Sequence, residues 1–236
     1  MTATDAPSTS EETAAGGTWR DRAVERSLRN ARAKAASRSD RFIRAASEIV
    51  SETGRTDFTV QTLIERSRSS LRSFYQHFSS KEELLLALFE EIIASSAAQW
   101  RAEIETLDDP LSGLHVLLER IHKESGATDG AGMNRALSVY HLELANNHPA
   151  EYARVLAPLR NLIFDLVQRG VADGSLRTDI RPETLAVITM QTLVGAAHMH
   201  ALGAEPDGSP VDSERLWDFC LGGLTGPPRA PAGTPR

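Results

Sequence analysis

The chain of 236 residues has a single cysteine, Cys220, so neither an intrachain disulfide nor a CxxC metal or redox pair can form. A secreted scaffold built on disulfides is excluded, and a reducing compartment is the natural setting. Aromatic residues make up only 6%, and no G-x-S-x-G, phosphate-loop or H-E-x-x-H pattern occurs. His115, His122, His141, His148, His198 and His200 contain no HxxxH pair, so no metal site, catalytic residue or cofactor is expected. The N-terminal stretch has no apolar segment behind basic residues, which favours a cytoplasmic location over secretion. From Thr184 to Ala204 no charged residue occurs, but Gln191, His198, His200 and several threonines interrupt the run and no Lys or Arg cluster follows it. That content argues for a buried or dimer-interface helix and against a membrane span. Alternating strand patterns with hairpin turns are also missing, so the expected class is all-α.

With 41% hydrophobic and 25% charged residues the chain has the composition of a globular protein. Its net charge of -6 hides an asymmetry: residues 20–81 carry 14 basic against seven acidic residues, a net +7, whereas everything from residue 82 onward sums to -10. A basic segment beside an acidic body is an electrostatic footprint for a polyanion. A solvated basic helix would give the same count, and charge alone does not separate the two.

Residues 1–19 and 226–236 are rich in small, polar or Pro and Gly residues and are expected to be disordered tails. Residues 20–39 form a basic arm. Phe42, Ala46, Ile49 and Val50 mark a helix from about Asp40 to Thr53, stopped near Gly54. A short second helix holds Val60, Leu63 and Ile64 with Thr59 as its N-cap, and a third runs through Phe78. Ser79 and Glu82 read as a capping box opening a long fourth helix. Beyond Pro110 the pattern predicts helices at about 110–125, 131–146, 149–173, 182–203 and 212–224. The segment Leu185 to Met199 is apolar on nearly every side, and a partner subunit would cover it economically.

The informative stretch is TVQTLIERSRSSLRSFYQHFSSK, Thr59 to Lys81. At helical spacing Leu71, Phe74 and Phe78 fall on one face of the third helix, as a grip on a core, while Ser69, Arg72, Ser73 and Gln76 fall on the other. A helix entering the DNA major groove needs that division: small Ser permits close approach, and Arg or Gln reaches base edges. Tyr75, His77 and Lys81 flank the stripe and suit phosphate oxygens. An ordinary amphipathic surface helix has the same periodicity.

FYQHFSSKEELLLALFE, preceded by two short helices and the helical RFIRAASEIVSETG, closely resembles the N-terminal helix-turn-helix domain of TetR/AcrR-family transcriptional regulators. Phe74, Tyr75, His77, Phe78, Lys81, Glu82 and Leu84 occupy the positions of the family pattern, and the match spans about Arg41 to Ile93. The resemblance implies a helix-turn-helix domain at 40–81, with Ser69, Arg72, Ser73 and Gln76 facing bases and Thr59, Ser70, Tyr75, His77 and Lys81 on the backbone. It also implies a helical ligand-binding and dimerisation body at 82–225 and a homodimer on a palindromic double-stranded operator; the missing catalytic motifs lead to the expectation of no enzymatic activity. One departure stands out: the turn that usually reads Ala-Gly-Val-Ser is here Ser67-Arg68-Ser69-Ser70. Arg68 in place of Gly implies an altered or strained turn, at about 1 kcal/mol. Leu71 stands where the family often has a phosphate-binding Lys, and Arg68 or Arg72 can take over that role.

For the body, Trp100, Leu117, Met133, Tyr140, His141, Leu159, Ile163, Met190, Val194 and His198 are the candidate lining of an effector site, since they combine apolar bulk with occasional polar tips. For each of them, ordinary core packing is the commoner role. Their largely uncharged character favours a small hydrophobic effector. Leu185, Ile188, Leu193, Ala197, Leu216, Trp217 and Phe219 are candidates for the dimer bundle or for closing the monomer core. The rival reading of the whole chain is a helical interaction protein that binds an acidic partner through its basic N-terminal region.

Overall fold

The computed structural model describes Val24 and residues 38–126, 130–204 and 211–226. The two expected tails fall almost wholly outside these residues, as does most of the arm at 20–39. The chain divides into Met1–Asp40 and Arg41–Arg236, and apart from residues 38–40 the features described below lie in the second unit. Among the described residues there are helices and no strand, as the apolar spacing predicts.

Helix α1 is helical over 38–53, and Gly54, at φ +65°, ends it. Then come α2 (Val60–Ser67), α3 (Leu71–Tyr75) and the long α4 (Lys81–Ile104). The remaining helices are α5 (Pro110–Ser125), α6 (Ala131–Asn147), α7 (Pro149–Val155), α8 (Ala157–Asp173), α9 (Pro182–Leu202) and α10 (Ser213–Thr225). Their starts follow the capping chemistry. The Thr59 side chain accepts from the Thr62 N–H, and Asp109 accepts from those of Leu111 and Ser112 ahead of Pro110 at the first helical position.

Two expectations about helix ends need correction. The cap of α4 is Ser80, which accepts from the Glu83 N–H, and the Glu83 carboxylate reaches back to the Ser79 N–H at 2.6 Å. The capping pair is therefore shifted by one residue from Ser79 and Glu82. The single helix expected at 149–173 is broken at Leu156, because Pro158 has no N–H to donate and its ring crowds the carbonyl four residues back.

Buried side chains gather into two clusters. One holds Phe42, Ala46, Ile49, Val50, Leu63, Phe74 and Phe78 from α1 to just past α3, Leu84, Leu88 and Phe89 from α4, and Ala136, Tyr140 and Leu144 from α6. The other is mostly aliphatic and is built from the second half of α4 together with α5, α8, α9 and α10. Helix α4 therefore belongs to both. Helix α6 is tied closely to the first: a Cβ on Gly132 would lie 2.2 Å from the Ser51 carbonyl oxygen of α1, so only glycine permits the approach.

Helix α9 is long and apolar enough to cross a membrane by length and composition alone. Its inner side, with Leu185, Ala186, Thr189 and Leu193, is buried against the body, while Val187, Ile188 and Met199 face outward. Of the residues offered for a dimer bundle, Leu185, Leu193 and Leu216 close the core of the chain itself. Ile188 at 50% and Phe219 at 73% exposure remain uncovered by it.

Candidate nucleic-acid interface and effector cavity

The turn between α2 and α3 is made by Arg68, whose φ of 49° and ψ of 44° are left-handed; it is the only non-glycine residue with positive φ among the described residues. The strain expected from Arg in a glycine position is thus present. The Arg68 N–H donates back to the Glu65 carbonyl and that of Ser69 to the Ile64 carbonyl, closing α2. Ser70 then caps α3, accepting from the Ser73 N–H at 3.2 Å. Behind the helix, Phe74 is fully buried and meets Phe42 edge-on with centroids 5.6 Å apart, and Phe78 meets Phe42 in the same way at 6.3 Å. These T-shaped contacts fix the tilt of α3 on α1.

With its back anchored, α3 turns Arg72, Tyr75 and Gln76 outward, and Arg68 joins them from the turn. Ser69 and Ser73 are half-buried between them. Arg68 and Arg72 have no acidic partner among the described residues, whereas Arg66 is held by Glu52 at 2.7 Å and Arg55 pairs with Asp57. Two cations on the flanks of the head, Arg55 and Arg66, are thus ion-paired, whereas Arg68 and Arg72 on the recognition face have no such partner among the described residues.

Three residues depart from expectation. Helical spacing puts Leu71 in the core with Phe74 and Phe78, yet it is 52% exposed. As the first residue of a five-residue helix it projects past the aromatic cluster, onto the recognition side. His77 packs its ring against Phe42 at 6.4 Å, and its Nε2 is buried without a hydrogen-bond partner, so it is not presented to a phosphate. Lys81 spends its ammonium internally, donating to the Thr56 carbonyl at 3.1 Å and lying over the Phe58 ring. It braces the loop before α2.

The body contains a cavity of about 120 Å³ between α4, α5, α6, α8 and α9. Trp100, His141, Leu159, Val194 and His198 line it as expected. Leu117, Met133, Tyr140, Ile163 and Met190 do not. Leu117 and Ile163 are fully buried in the aliphatic core and Met190 packs on it; Tyr140 stacks on Phe89 at 4.6 Å in the other cluster, beside Met133. Periodicity missed Ile92, Ile93, Ile121, Glu124, Asn134 and Ser138, which the cavity also uses. The lining is thus less uniformly uncharged than expected, since the Glu124 carboxylate accepts from the Trp100 indole N–H at 3.0 Å.

At one wall the His141 Nδ1 lies 3.4 Å from the His198 Nε2. Burial, with the neighbouring His198 adding to it, pushes the His141 imidazole down to about 4, and burial also lowers His198. Both rings are neutral at pH 7, and the His141 Nε2 has no hydrogen-bond partner among the described residues.

A buried-backed helix after a tight turn, with arginines that have no acidic partner among the described residues, together with a helical body that holds a cavity, is the arrangement of a helix-turn-helix fold. Residues 42–88 match the family described as bacterial regulatory proteins, tetR family. The HTH-type transcriptional regulator UidR of Escherichia coli K12 is 24% identical over 182 residues, covering 77% of this chain and 87% of its own. The HTH-type transcriptional repressor KstR2 of Mycolicibacterium smegmatis is 23% identical over 196 residues, 80% of this chain and 92% of that one. The Bacillus subtilis regulator FadR in complex with stearoyl-CoA shares the fold, with a TM-score of 0.61 at 17% identity over 78% of this chain and 96% of that one. Residues 42–88 therefore resemble the DNA-binding region of tetR-family proteins, and relatives that align over most of the chain are transcriptional regulators.

Proposed function

We propose that the chain is a cytoplasmic homodimeric repressor that leaves a palindromic operator when a small, mainly hydrophobic molecule enters the body. The observation that carries this reading is the outward set Arg68, Arg72, Tyr75 and Gln76, mounted on a buried aromatic base and without an ion pair among the described residues. Arg72 and Gln76 are suited to base edges, Arg68 and Tyr75 to phosphates. Exposed Ile188 and Phe219 on α9 and α10 suit a two-fold bundle, which would set two heads about one DNA turn apart. The name of KstR2 supports repression and the stearoyl-CoA bound to FadR supports an apolar effector.

The cavity suggests how release would work. At about 120 Å³ it is smaller than the 300 Å³ or more of an ordinary ligand pocket, so an effector of useful size must part the helices around it. Helix α6 lines the cavity through Asn134, Leu137, Ser138 and His141 and meets α1 of the head at Gly132. Widening the body would therefore move the head through α6.

Capture of genomic fragments by the purified protein, followed by sequencing, tests the reading, with a two-fold symmetric motif as the expected product. On that motif Arg72→Ala should lose about 1–3 kcal/mol of affinity, roughly five- to 150-fold, at unchanged thermal midpoint. Retention of random fragments with no shared motif would defeat the proposal.

A further inference from the structure

A second side-chain cluster lies away from both the recognition face and the cavity. His115 and Glu119 are four residues apart on α5 and share a face, and Glu214 in the first turn of α10 reaches the same point. The His115 Nε2 lies 3.9 Å from a Glu119 oxygen and 3.9 Å from a Glu214 oxygen, and all three atoms fall within 4.8 Å of one another. A point equidistant from atoms so placed is at most about 2.5 Å from each, against about 2.0–2.2 Å for zinc bonds to nitrogen and oxygen. Closing that gap takes a few tenths of an ångström at the ends of two glutamates whose side chains are 49% and 69% exposed.

The histidine is preset for the task. Its ring stacks on Trp217 with centroids 4.6 Å apart and planes 18° from parallel. Its Nε2 is shielded from solvent and has no hydrogen-bond partner among the described residues, a costly state for a polar atom that a bound ion would relieve. We propose that His115, Glu119 and Glu214 form a divalent transition-metal site, best suited to Zn²⁺, that clamps α10 to α5. An imidazole with two carboxylates is a donor set for Zn²⁺, whereas Ca²⁺ and Mg²⁺ favour oxygen alone. Three protein ligands leave a fourth position for water.

The competing arrangement is a protonated His115 ion-paired with both carboxylates. Metal retention separates the two. Full-length protein, freed of metal by chelator, is dialysed against Zn²⁺, and Co²⁺ is titrated in parallel while tryptophan emission is followed. One Zn²⁺ retained per chain is expected, weakened at least about tenfold in His115→Ala and in Glu214→Gln but unchanged in His198→Gln. Glu214 is exposed, so Glu214→Gln keeps its fold, which circular dichroism verifies. Bound Co²⁺ should quench Trp217 beside His115, and Trp217→Phe should abolish that quench. No retained ion, or equal retention in wild type, His115→Ala and Glu214→Gln, overturns the proposal.

Discussion

The head and the body are both helical, but they are held together differently. Four of the seven phenylalanines, Phe42, Phe74, Phe78 and Phe89, are buried in the head cluster together with Tyr140. The body core is mainly Leu, Ile and Val, with Trp100 at its edge. Aromatic rings meet at defined angles, so a few of them fix the pose of a five-residue helix that could not hold itself. Aliphatic side chains fill space with less directional demand, and a core built from them can leave a cavity and tolerate its expansion. Rigidity therefore sits where bases would be read, and compliance where an effector would enter.

The sharpest way to break this contrast is Phe74→Ala. Removing a fully buried ring should cost about 3–5 kcal/mol and abolish DNA binding. Because the head cluster runs through Phe89 to Tyr140 on α6, calorimetry should record one transition at a lower midpoint. Two separated transitions would mean that head and body do not share a core.

A test of the body follows from His141. Its imidazole is depressed from an unfolded value near 6.5 to about 4, so between those pH values the unfolded chain holds a proton that the folded one excludes. Stability is then complete above about pH 6.5 and declines as the pH falls toward 4, by roughly 3 kcal/mol for this group alone. His141→Asn should flatten the fall in thermal midpoint over that window relative to wild type. Parallel pH profiles would show that His141 titrates as a solvated group.

The smallest effect concerns the turn. Arg68→Gly relieves a left-handed strain of about 1–2 kcal/mol but adds about 0.5–1 kcal/mol of unfolded-chain entropy, so stability should rise by at most about 1.5 kcal/mol. If Arg68 touches a phosphate, the salt dependence of operator binding should fall by about one ion. Urea midpoints and binding isotherms at several salt concentrations measure the two effects separately.

Much of the head was legible because its determinants are close together in the chain. Thr59 as a cap, Gly54 as a stop and Phe74 as an anchor are local features that occur as the spacing predicts, and Arg68 adopts the left-handed turn that the family resemblance implies. Leu71 misled because periodicity assigns a face without recording where the helix starts relative to its core. Pro158 was a visible breaker inside the long helix expected at 149–173. Half of the expected cavity lining was wrong because apolar bulk marks a residue as inward-facing, and inward can mean packed core as well as empty space.

From its residues alone this chain was committed to an all-helical class, to the α2–turn–α3 unit and to a polar recognition side backed by aromatics, because capping, turn strain and helical spacing act within a few residues. The cavity, the His141–His198 contact and the meeting of His115 and Glu119 with Glu214 were decided only by tertiary packing. They join side chains 57 or more positions apart in the cases of His141 with His198 and His115 with Glu214, where no local rule reaches and only the way helices stack brings the groups together.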